Sequence, residues 1–210
     1  MKKLSLLFLS ALFLTACGAS APEEAVEVSE EVTVEEESTG ETLDVDLEAS
    51  TIGWVGYKTV GDPHDGTISL SEGSISIEDG EIVGGSFVID MDTIESNEGL
   101  DGLVDHLKNE DFFEVETYST AEFEITSVEA LEGEEGTHTI SGNLTMKGET
   151  NNISFPATIS EEGGVWSAQA EFVVDRTDWN VQYGSDKFFD NLGDNVIRDD
   201  MSITLDLVTL

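Results

Sequence analysis

The feature that most constrains the fold is a series of short strand-like runs through residues 50–210, separated by Gly, Asn and Asp. Within residues 120–128, apolar Ala121, Phe123 and Ile125 alternate with polar residues. Successive side chains of a strand point to opposite faces, so this alternation predicts a strand with one buried face. Roughly eight such runs are present. Eight strands can close into a small barrel that holds one ligand, and closure removes exposed strand edges.

Two glycines interrupt one of the predicted strands. Gly84 and Gly85 lie within the strand-like residues 81–91. A glycine inside a strand favours a bulge or a sharp coil, which barrels need at their corners. We therefore predict an all-β fold, namely an antiparallel eight-stranded barrel with one short crossover helix.

One clear helical signal lies between the predicted strands. Leu100, Leu103 and Leu107 follow the three-and-four spacing of one apolar helix face. Phe112 and Phe113 then stand side by side between acidic residues. Leaving two phenyl rings in water is costly, so at least one ring should be buried. Two interpretations are open: an aromatic plug across one end of the barrel, or an ordinary core anchor in a crossover loop.

Residues 1–16 have the pattern of a bacterial secretion signal. A basic start, Met1-Lys2-Lys3, precedes an apolar stretch at residues 4–14 that is too short to span a membrane stably. Leu14-Thr15-Ala16-Cys17 resembles the lipobox of bacterial lipoproteins, which implies cleavage before Cys17 and lipidation of its thiol. A plain signal peptide with a chance cysteine is the alternative. Lipidation explains the position better, because Cys17 is the only cysteine and has no internal disulfide partner.

An acidic segment follows the lipobox. Residues 18–48 contain no Lys or Arg and many Glu. This composition cannot bury a core, so we predict an acidic disordered tether at residues 17–48 and a barrel domain at residues 49–210. With a lipidated Cys17, the chain would be a membrane-anchored lipoprotein of the cell envelope, on its periplasmic face or outer surface.

The overall charge excludes one class of partner. The chain has 8 basic and 46 acidic residues and a formal net charge of −38. Such a surface repels phosphate backbones and anionic lipid headgroups, so nucleic-acid binding is excluded. Adaptation to a salty habitat would also produce an acid excess of this size.

The sequence carries no recognisable catalytic or metal-binding motif. His64, His106 and His138 are the only histidines, and none lies four residues from another. No Gly-x-Ser-x-Gly elbow, phosphate-binding loop or EF-hand spacing occurs. We therefore predict no catalytic residue, no metal site and no enzyme activity, although residues 190–195 have the composition of a weak cation site.

Two basic residues stand out because bases are so rare. Arg176 lies at a strand end, where we expect a salt bridge to Asp175, Asp178 or Asp200. Lys58 also lies at a strand end, and two roles are open for it. It is either a structural surface charge or a cation at the barrel mouth that holds an anionic or carbonyl headgroup.

Taken together, the motifs between Leu43 and Leu210 resemble the YceI family of secreted, lipocalin-like barrels. The stretches that carry the resemblance are residues 54–58, His64-Asp65-Gly66, Gly85-Ser86-Phe87, Ile89-Asp90-Met91, His106-Leu107-Lys108, Asp111-Phe112-Phe113, Tyr118, Ala121-Glu122-Phe123, residues 142–148, Val174-Asp175-Arg176, Phe188-Phe189-Asp190 and Asp200. Ser119 and Asn151-Asn152 depart from the Pro and the Lys-Pro usual in the family, and both departures fall in predicted turns.

The resemblance implies an eight-stranded antiparallel lipocalin-like barrel whose apolar channel binds a polyisoprenoid, such as an isoprenoid quinone or a polyprenyl phosphate. It implies no catalysis and no cofactor besides the isoprenoid lipid. The expected partners are that lipid and, through Cys17, a membrane; a homodimer is also open. The candidate lipid-binding residues are Trp54, Lys58, His64, Phe87, Ile89, Phe112, Phe113, Phe123, Leu144, Phe155, Trp166, Phe172 and Trp179.

Ordinary core packing is the alternative role for each of these residues, because small barrels fill themselves with side chains. The matching alternative function is a filled barrel, a structural or stress-associated envelope protein that binds a protein or an ion. The size of the interior cavity separates the two readings, since a tunnel holds a ligand and a close-packed interior does not.

Overall fold

The computed structural model describes residues 24–34, 40–131 and 136–210. The predicted signal peptide and Cys17 lie outside the described residues. One α-helix, α1 (Asp101–Lys108), and two short 3-10 helices (Arg176–Trp179 and Gly193–Asn195) accompany the strands. The strands are β1 (Val28–Ser29), β2 (Glu41–Asp44), β3 (Thr51–Lys58), β4 (His64–Glu78), β5 (Glu81–Ser96), β6 (Thr120–Ala130), β7 (His138–Met146), β8 (Glu149–Glu162), β9 (Val165–Asp175) and β10 (Ile197–Val208).

Eight of these strands, β3 to β10, form one closed antiparallel barrel. Their order is β8-β7-β6-β5-β4-β3-β10-β9, and pairing between β8 and β9 closes the circle. The predicted eight-stranded antiparallel barrel with one crossover helix is therefore confirmed. The predicted glycine bulge also appears, because the β4–β5 register shifts where Gly84 and Ile82 face the adjacent Ser76 and Ile77.

Two further strands lie within the segment that the sequence assigned to the tether. β2 pairs with a part of β4 that does not pair with β3, and there Leu43 lies opposite Ile75. β1 pairs with β8, with Val28 opposite Ile153. Ordered structure therefore begins upstream of the predicted domain boundary at residue 49. These acidic stretches also contain apolar residues that pack against the barrel. Val26, for example, contacts the hydrophobic core.

Alternation along the strands builds the interior. On β3, Ile52 and Trp54 are buried. Trp54 lies opposite Gly66 of β4, and a Cβ atom placed on Gly66 would lie 2.5 Å from the indole ring. A glycine is required there because any side chain would displace Trp54. The indole nitrogen of Trp54 donates a hydrogen bond to the carbonyl of Thr67 at 3.3 Å.

The helix and the Phe pair cover one end of the barrel. We call this the helix end; β3, β5, β7 and β9 all finish there. Leu107 on α1 is buried, and Phe112 and Phe113 after the helix are 6% and 7% exposed. Both rings are therefore buried, as an end plug and a core anchor both require; we call this pair the aromatic plug. Among the described residues, no helix is long and apolar enough to cross a membrane.

Candidate binding cavity

An apolar cavity of about 240 Å³ lies inside the barrel. Every barrel strand contributes to its wall. One such residue from each strand, β3 to β10 in turn, is Trp54, Leu70, Phe87, Ala121, Leu144, Phe155, Phe172 and Leu205. An apolar cavity of about 150 Å³ in another protein is large enough to bind benzene. The interior of this barrel therefore has room for at least a segment of an apolar chain.

The space exists because small residues occupy several inward positions. Ala121, Ala157, Ala168 and Ala170 all line the cavity. Gly56 lines it too, and a Cβ atom placed on Gly56 would meet no other heavy atom within 4 Å. Larger side chains at these positions would fill the interior, as they do in barrels without a ligand.

A band of phenyl rings crosses the wall of the cavity. Phe87 and Phe123 have ring centroids 6.4 Å apart, and Phe123 and Phe155 are 5.8 Å apart. Phe155 and Phe172 stack with centroids 4.1 Å apart and planes 9° apart. Gly142 makes room for this band, since a Cβ atom there would lie 2.2 Å from the Phe123 ring. This part of the wall is therefore aromatic.

Most of the predicted lipid-binding residues line this cavity together. They are Trp54, Phe87, Ile89, Phe112, Phe113, Phe123, Leu144, Phe155, Trp166 and Phe172. Several lining residues were not predicted, although strand alternation could have identified them. These are chiefly Ile52, Leu70, Met91, Ile94, Ile203 and Leu205.

Three predicted residues lie outside the cavity. Trp179 is fully buried in the 3-10 helix after β9, where its indole nitrogen donates to the carbonyl of Leu144 at 2.8 Å. Lys58 is exposed at the end of β3. His64 contacts the carboxylate of Glu98 at 3.0 Å instead of pointing at the cavity.

Arg176 is the central polar residue of the helix end, and it is only 2% exposed. Its guanidinium donates hydrogen bonds to the carbonyl oxygens of Val181, Ile197 and Arg198. It also lies 5.3 Å from the centre of the Phe112 ring. Burying a guanidinium is costly unless its N–H groups are paired, and these contacts provide the pairing. Arg176 thereby joins the loop after β9 and the start of β10 to the aromatic plug.

The predicted salt-bridge partners of Arg176 are wrong. Its ion pair is with Asp199, at 3.6 Å, rather than with Asp175, Asp178 or Asp200. Arg176 begins the 3-10 helix and turns inward, whereas the carboxylates of Asp175 and Asp200 are occupied by other groups. Burial lowers the pKa of the Arg176 guanidinium, and the negative charges of Asp199 and Asp175 offset part of that effect.

A second cation connects this network to solvent. Lys187, half exposed, donates to the carboxylates of Asp175 and Asp199. Burial alone would raise the pKa of Asp175, but hydrogen bonds from Lys187 and Thr177 outweigh it and hold that pKa below its usual value. Hydrogen bonding to Asp175 in turn raises the pKa of Lys187. Burial, and then the charge of Asp175, raise the pKa of Asp178.

Nearly all cations of the described residues are already paired. Lys108 donates to the carbonyl of Asp92 at 2.7 Å, and Lys147 to that of Phe112 at 2.6 Å. Arg198 contacts Asp200 at 2.8 Å. Across residues 24–34, 40–131 and 136–210, Lys58 alone among Lys and Arg side chains has neither a hydrogen bond nor an ion pair. The cations of the helix end are therefore held by carbonyls and carboxylates of the protein and offer little positive charge to an anion.

The described part of the chain contains no group of three or more His, Cys, Asp or Glu side chains able to hold a metal ion. Asp190 and Asn195, from the segment with the composition of a cation site, are exposed, and the side-chain amide of Asn195 donates to the carbonyl of Leu192 at 3.2 Å.

A family comparison agrees with this architecture. The model of the YceI-like domain matches residues 43–209, a range that contains all eight barrel strands. The chain belongs to the YceI-like domain family. No curated protein matches the sequence.

Solved structures share the YceI-like fold. BcnA from Burkholderia cenocepacia superposes with a TM-score of 0.66 at 22% identity, over 80% of this chain and 100% of BcnA. A polyisoprenoid binding domain from Saccharophagus degradans, implicated in plant cell wall breakdown, superposes with a TM-score of 0.62 at 18% identity, over 79% and 96% of the two chains. A Campylobacter jejuni YceI protein gives 0.51 at 14% identity, over 88% and 92%. At these identities the likeness establishes the fold.

Replacing Arg176 by Met should destabilise the barrel severely. The change leaves the carbonyls of Val181, Ile197 and Arg198 without their donor and Asp199 without its buried partner. We expect a loss of about 3 kcal/mol or more in the free energy of unfolding. Denaturant titration would measure it. Arg198→Met is the matched control, because the Arg198 side chain is 39% exposed; equal losses in the two variants would contradict the assigned role of Arg176.

Proposed function

We propose that this protein binds an isoprenoid lipid, without catalysis, in the apolar cavity of its barrel. The observation that carries the proposal is the cavity itself, of about 240 Å³ and walled by apolar side chains from all eight barrel strands. A filled barrel would have no such space. The structure therefore favours a ligand-binding barrel over the filled-barrel alternative.

An isoprenoid chain suits this interior physically. Each buried CH₂ contributes about 0.8 kcal/mol, so a five-carbon unit contributes about 4 kcal/mol before the cost of ordering the chain. The lining provides aromatic and aliphatic contact without polar groups that need pairing. The name of the Saccharophagus domain, a polyisoprenoid binding domain with the same fold, also supports this ligand class.

The absence of catalysis follows from the same chemistry. Hydrolysis or group transfer needs a nucleophile, an acid or base, or a metal near the ligand. The polar residues along the cavity wall are few, and its charged members are Arg176, Arg198 and Asp200. Arg176 donates to backbone carbonyls and Arg198 to Asp200, so these groups serve the fold. We assign the protein to carriage or storage of a lipid.

Filling the cavity should abolish binding without unfolding the barrel. Ala121 on β6 lines the cavity, whereas its neighbour Glu122 is exposed on the outer face. We expect Ala121→Phe to weaken binding of a four-unit isoprenoid benzoquinone by about tenfold or more, and Glu122→Phe by less than about twofold. Trp54 and Trp166 line the cavity, so quenching of tryptophan fluorescence by the quinone reports binding.

The two Phe variants need a stability check, because overpacking costs about 1–3 kcal/mol. A thermal melt of each variant provides it, and Ala168→Leu is a milder filling substitution at another cavity position. Unchanged affinity in folded Ala121→Phe and Ala168→Leu proteins would place the quinone elsewhere and reject the cavity as its site.

We further propose that the headgroup is neutral, as in a quinone, rather than a phosphate. Asp175, Asp199 and Asp200 crowd the helix end, and their cationic neighbours are already paired. A phosphate brought there would lose water without gaining a cation, which is costly. Lys58 is the cation left to attract an anion among the described residues, and it is exposed and outside the cavity wall.

A competition assay tests the headgroup preference. A neutral four-unit isoprenoid quinone should bind at least about tenfold more tightly than a polyprenyl phosphate of the same chain length. Lys58→Ala should leave both affinities unchanged, because Lys58 has no part in the site. Equal affinities, with loss of phosphate binding in Lys58→Ala, would instead make Lys58 the headgroup ligand.

The cellular setting is part of the proposal. A lipidated Cys17 would anchor the barrel at the cell envelope, beside the membranes that contain isoprenoid lipids. A homodimer stays a prediction.

A further inference from the structure

We propose that the lipid enters and leaves the barrel sideways, through a seam between β8 and β9 that residues 24–34 close. We call residues 24–34 the strap. This inference rests on the proposed lipid-binding function and adds the route by which an isoprenoid chain reaches the cavity. Four observations support it. The pairing of β8 with β9 is incomplete, the strap lies in that gap, the barrel wall beside it is thin, and the strap is held more firmly at its downstream end.

The barrel is incompletely paired between β8 and β9. The two strands pair only from Thr158 opposite Gln169 to Glu162 opposite Val165. Towards the helix end, residues 149–157 of β8 and 170–175 of β9 do not pair with each other. We call this unpaired stretch the seam. Five paired positions also join β3 to β4 and β5 to β6, and the other neighbouring pairs of barrel strands have longer ladders.

A proline explains where the pairing stops. The carbonyl of Ala157 accepts a hydrogen bond from the backbone N–H of Thr137, so the polar groups of Ala157 face β7. Backbone groups alternate in direction along a strand, so those of Pro156 face β9. Pro156 has no N–H to donate. Followed from Glu162 back towards Pro156, the ladder to β9 ends at Thr158.

The strap fills the seam in place of direct pairing. Val28 and Ser29 pair with Ile153 and Asn152, on the edge of β8 opposite β7. The backbone N–H of Val26 donates to the carbonyl of Val173 on β9 at 2.8 Å. The strap thus bonds to both sides of the seam. With two paired residues against β8, it is the weakest strand of the sheet, and short weakly bonded elements open locally at low free energy.

The cavity lies directly behind the strap. Ile153, Phe155 and Phe172 flank the seam, and all three line the cavity. On the outside, a surface groove forms where β8 and β9 part. Gln169, Ala170 and Leu205 line both this groove and the cavity, so the wall there is one residue thick. Val26 of the strap packs against the hydrophobic core, so displacing the strap would uncover that core beside the seam.

The strap is held more firmly at its downstream end than at its upstream end. The backbone N–H of Val32 donates to Asn143 Oδ1 at 3.0 Å, and Asn143 Nδ2 donates to the carbonyl of Val32 at 2.7 Å. Asn152 Nδ2 also donates to Asn143 Oδ1, at 3.0 Å, and both Asn side chains are buried. This paired amide clasp fixes the strap downstream of the seam. Upstream of β1, one backbone hydrogen bond, from Val26 to Val173, holds the strap, so opening would begin there.

The upstream end of the strap is also the end nearest the proposed acyl anchor. Six residues lie between Cys17 and Glu24, so seven residue steps join the two. An extended chain of that length reaches about 24 Å. An anchored Cys17 would therefore hold the seam close to the bilayer surface.

A reversible disulfide across the strap tests the proposal. Ser29→Cys with Asn152→Cys joins residues that are directly opposed in β1 and β8. Opposed positions of antiparallel strands lie within disulfide range. Ser74→Cys with Ser86→Cys, opposed in β4 and β5 away from the seam, is the matched control. Both are made in the full chain, and each disulfide is verified by mass.

The measured quantity is the rate at which the protein takes up a four-unit isoprenoid benzoquinone from phosphatidylcholine vesicles, followed by tryptophan quenching. Oxidised Ser29→Cys/Asn152→Cys protein should take up quinone at least about tenfold more slowly than the same protein after reduction. The oxidised and reduced control should differ by less than about twofold. Val26→Asp, which places a charge against the core, should accelerate uptake.

Each result decides a different point. Equal uptake rates in the oxidised and reduced strap variant, with quinone still bound, would overturn the seam route and leave lipid binding intact. The lipid would then pass through a barrel end. Failure of the unmodified protein to bind quinone at any rate would reject lipid binding and the seam route together.

Discussion

Closure of the barrel between β8 and β9 is the constraint on which the rest of the structure depends. An open eight-stranded sheet would expose two edges and could not enclose an interior. Here the closing pair is partial, because Pro156 ends it after Thr158 and Gln169. The strap completes the wall on one side of that point. A closed cavity and a removable section of wall therefore arise from the same local feature.

Charge and apolar surface are separated almost completely in this molecule. Among the described residues, most charged side chains lie on the outside, while the interior is built from Phe, Trp, Ile and small residues. The buried Arg176 is an exception, which is satisfied by three carbonyls and holds the aromatic plug in place. Because its donors are used in this way, the hydrophobic effect is left as the main source of affinity for a ligand.

Local patterns in the sequence predicted the barrel strands, the helix and the burial of the Phe112–Phe113 pair, because alternation and spacing directly determine which side chains face inward. The resemblance to the YceI family identified ten of the residues that line the cavity. Three features depended on contacts between distant residues. The ion pair of Arg176 with Asp199 requires the start of β10 to fold back on the loop after β9. Trp179 looked like a lining residue but turns to the carbonyl of Leu144. The glutamates of the strap led us to predict a solvated tether. Its few valines find a surface to pack against only because β8 and β9 do not pair beside Pro156.

The most direct test of the account is native mass spectrometry on the full chain, produced in a bacterial envelope, purified gently and then extracted with solvent. The account predicts a co-purifying neutral isoprenoid that Ala121→Phe protein lacks. A ligand-free mass that is unchanged after incubation with isoprenoid quinone would contradict it, and the cavity would then be no more than an imperfectly packed core.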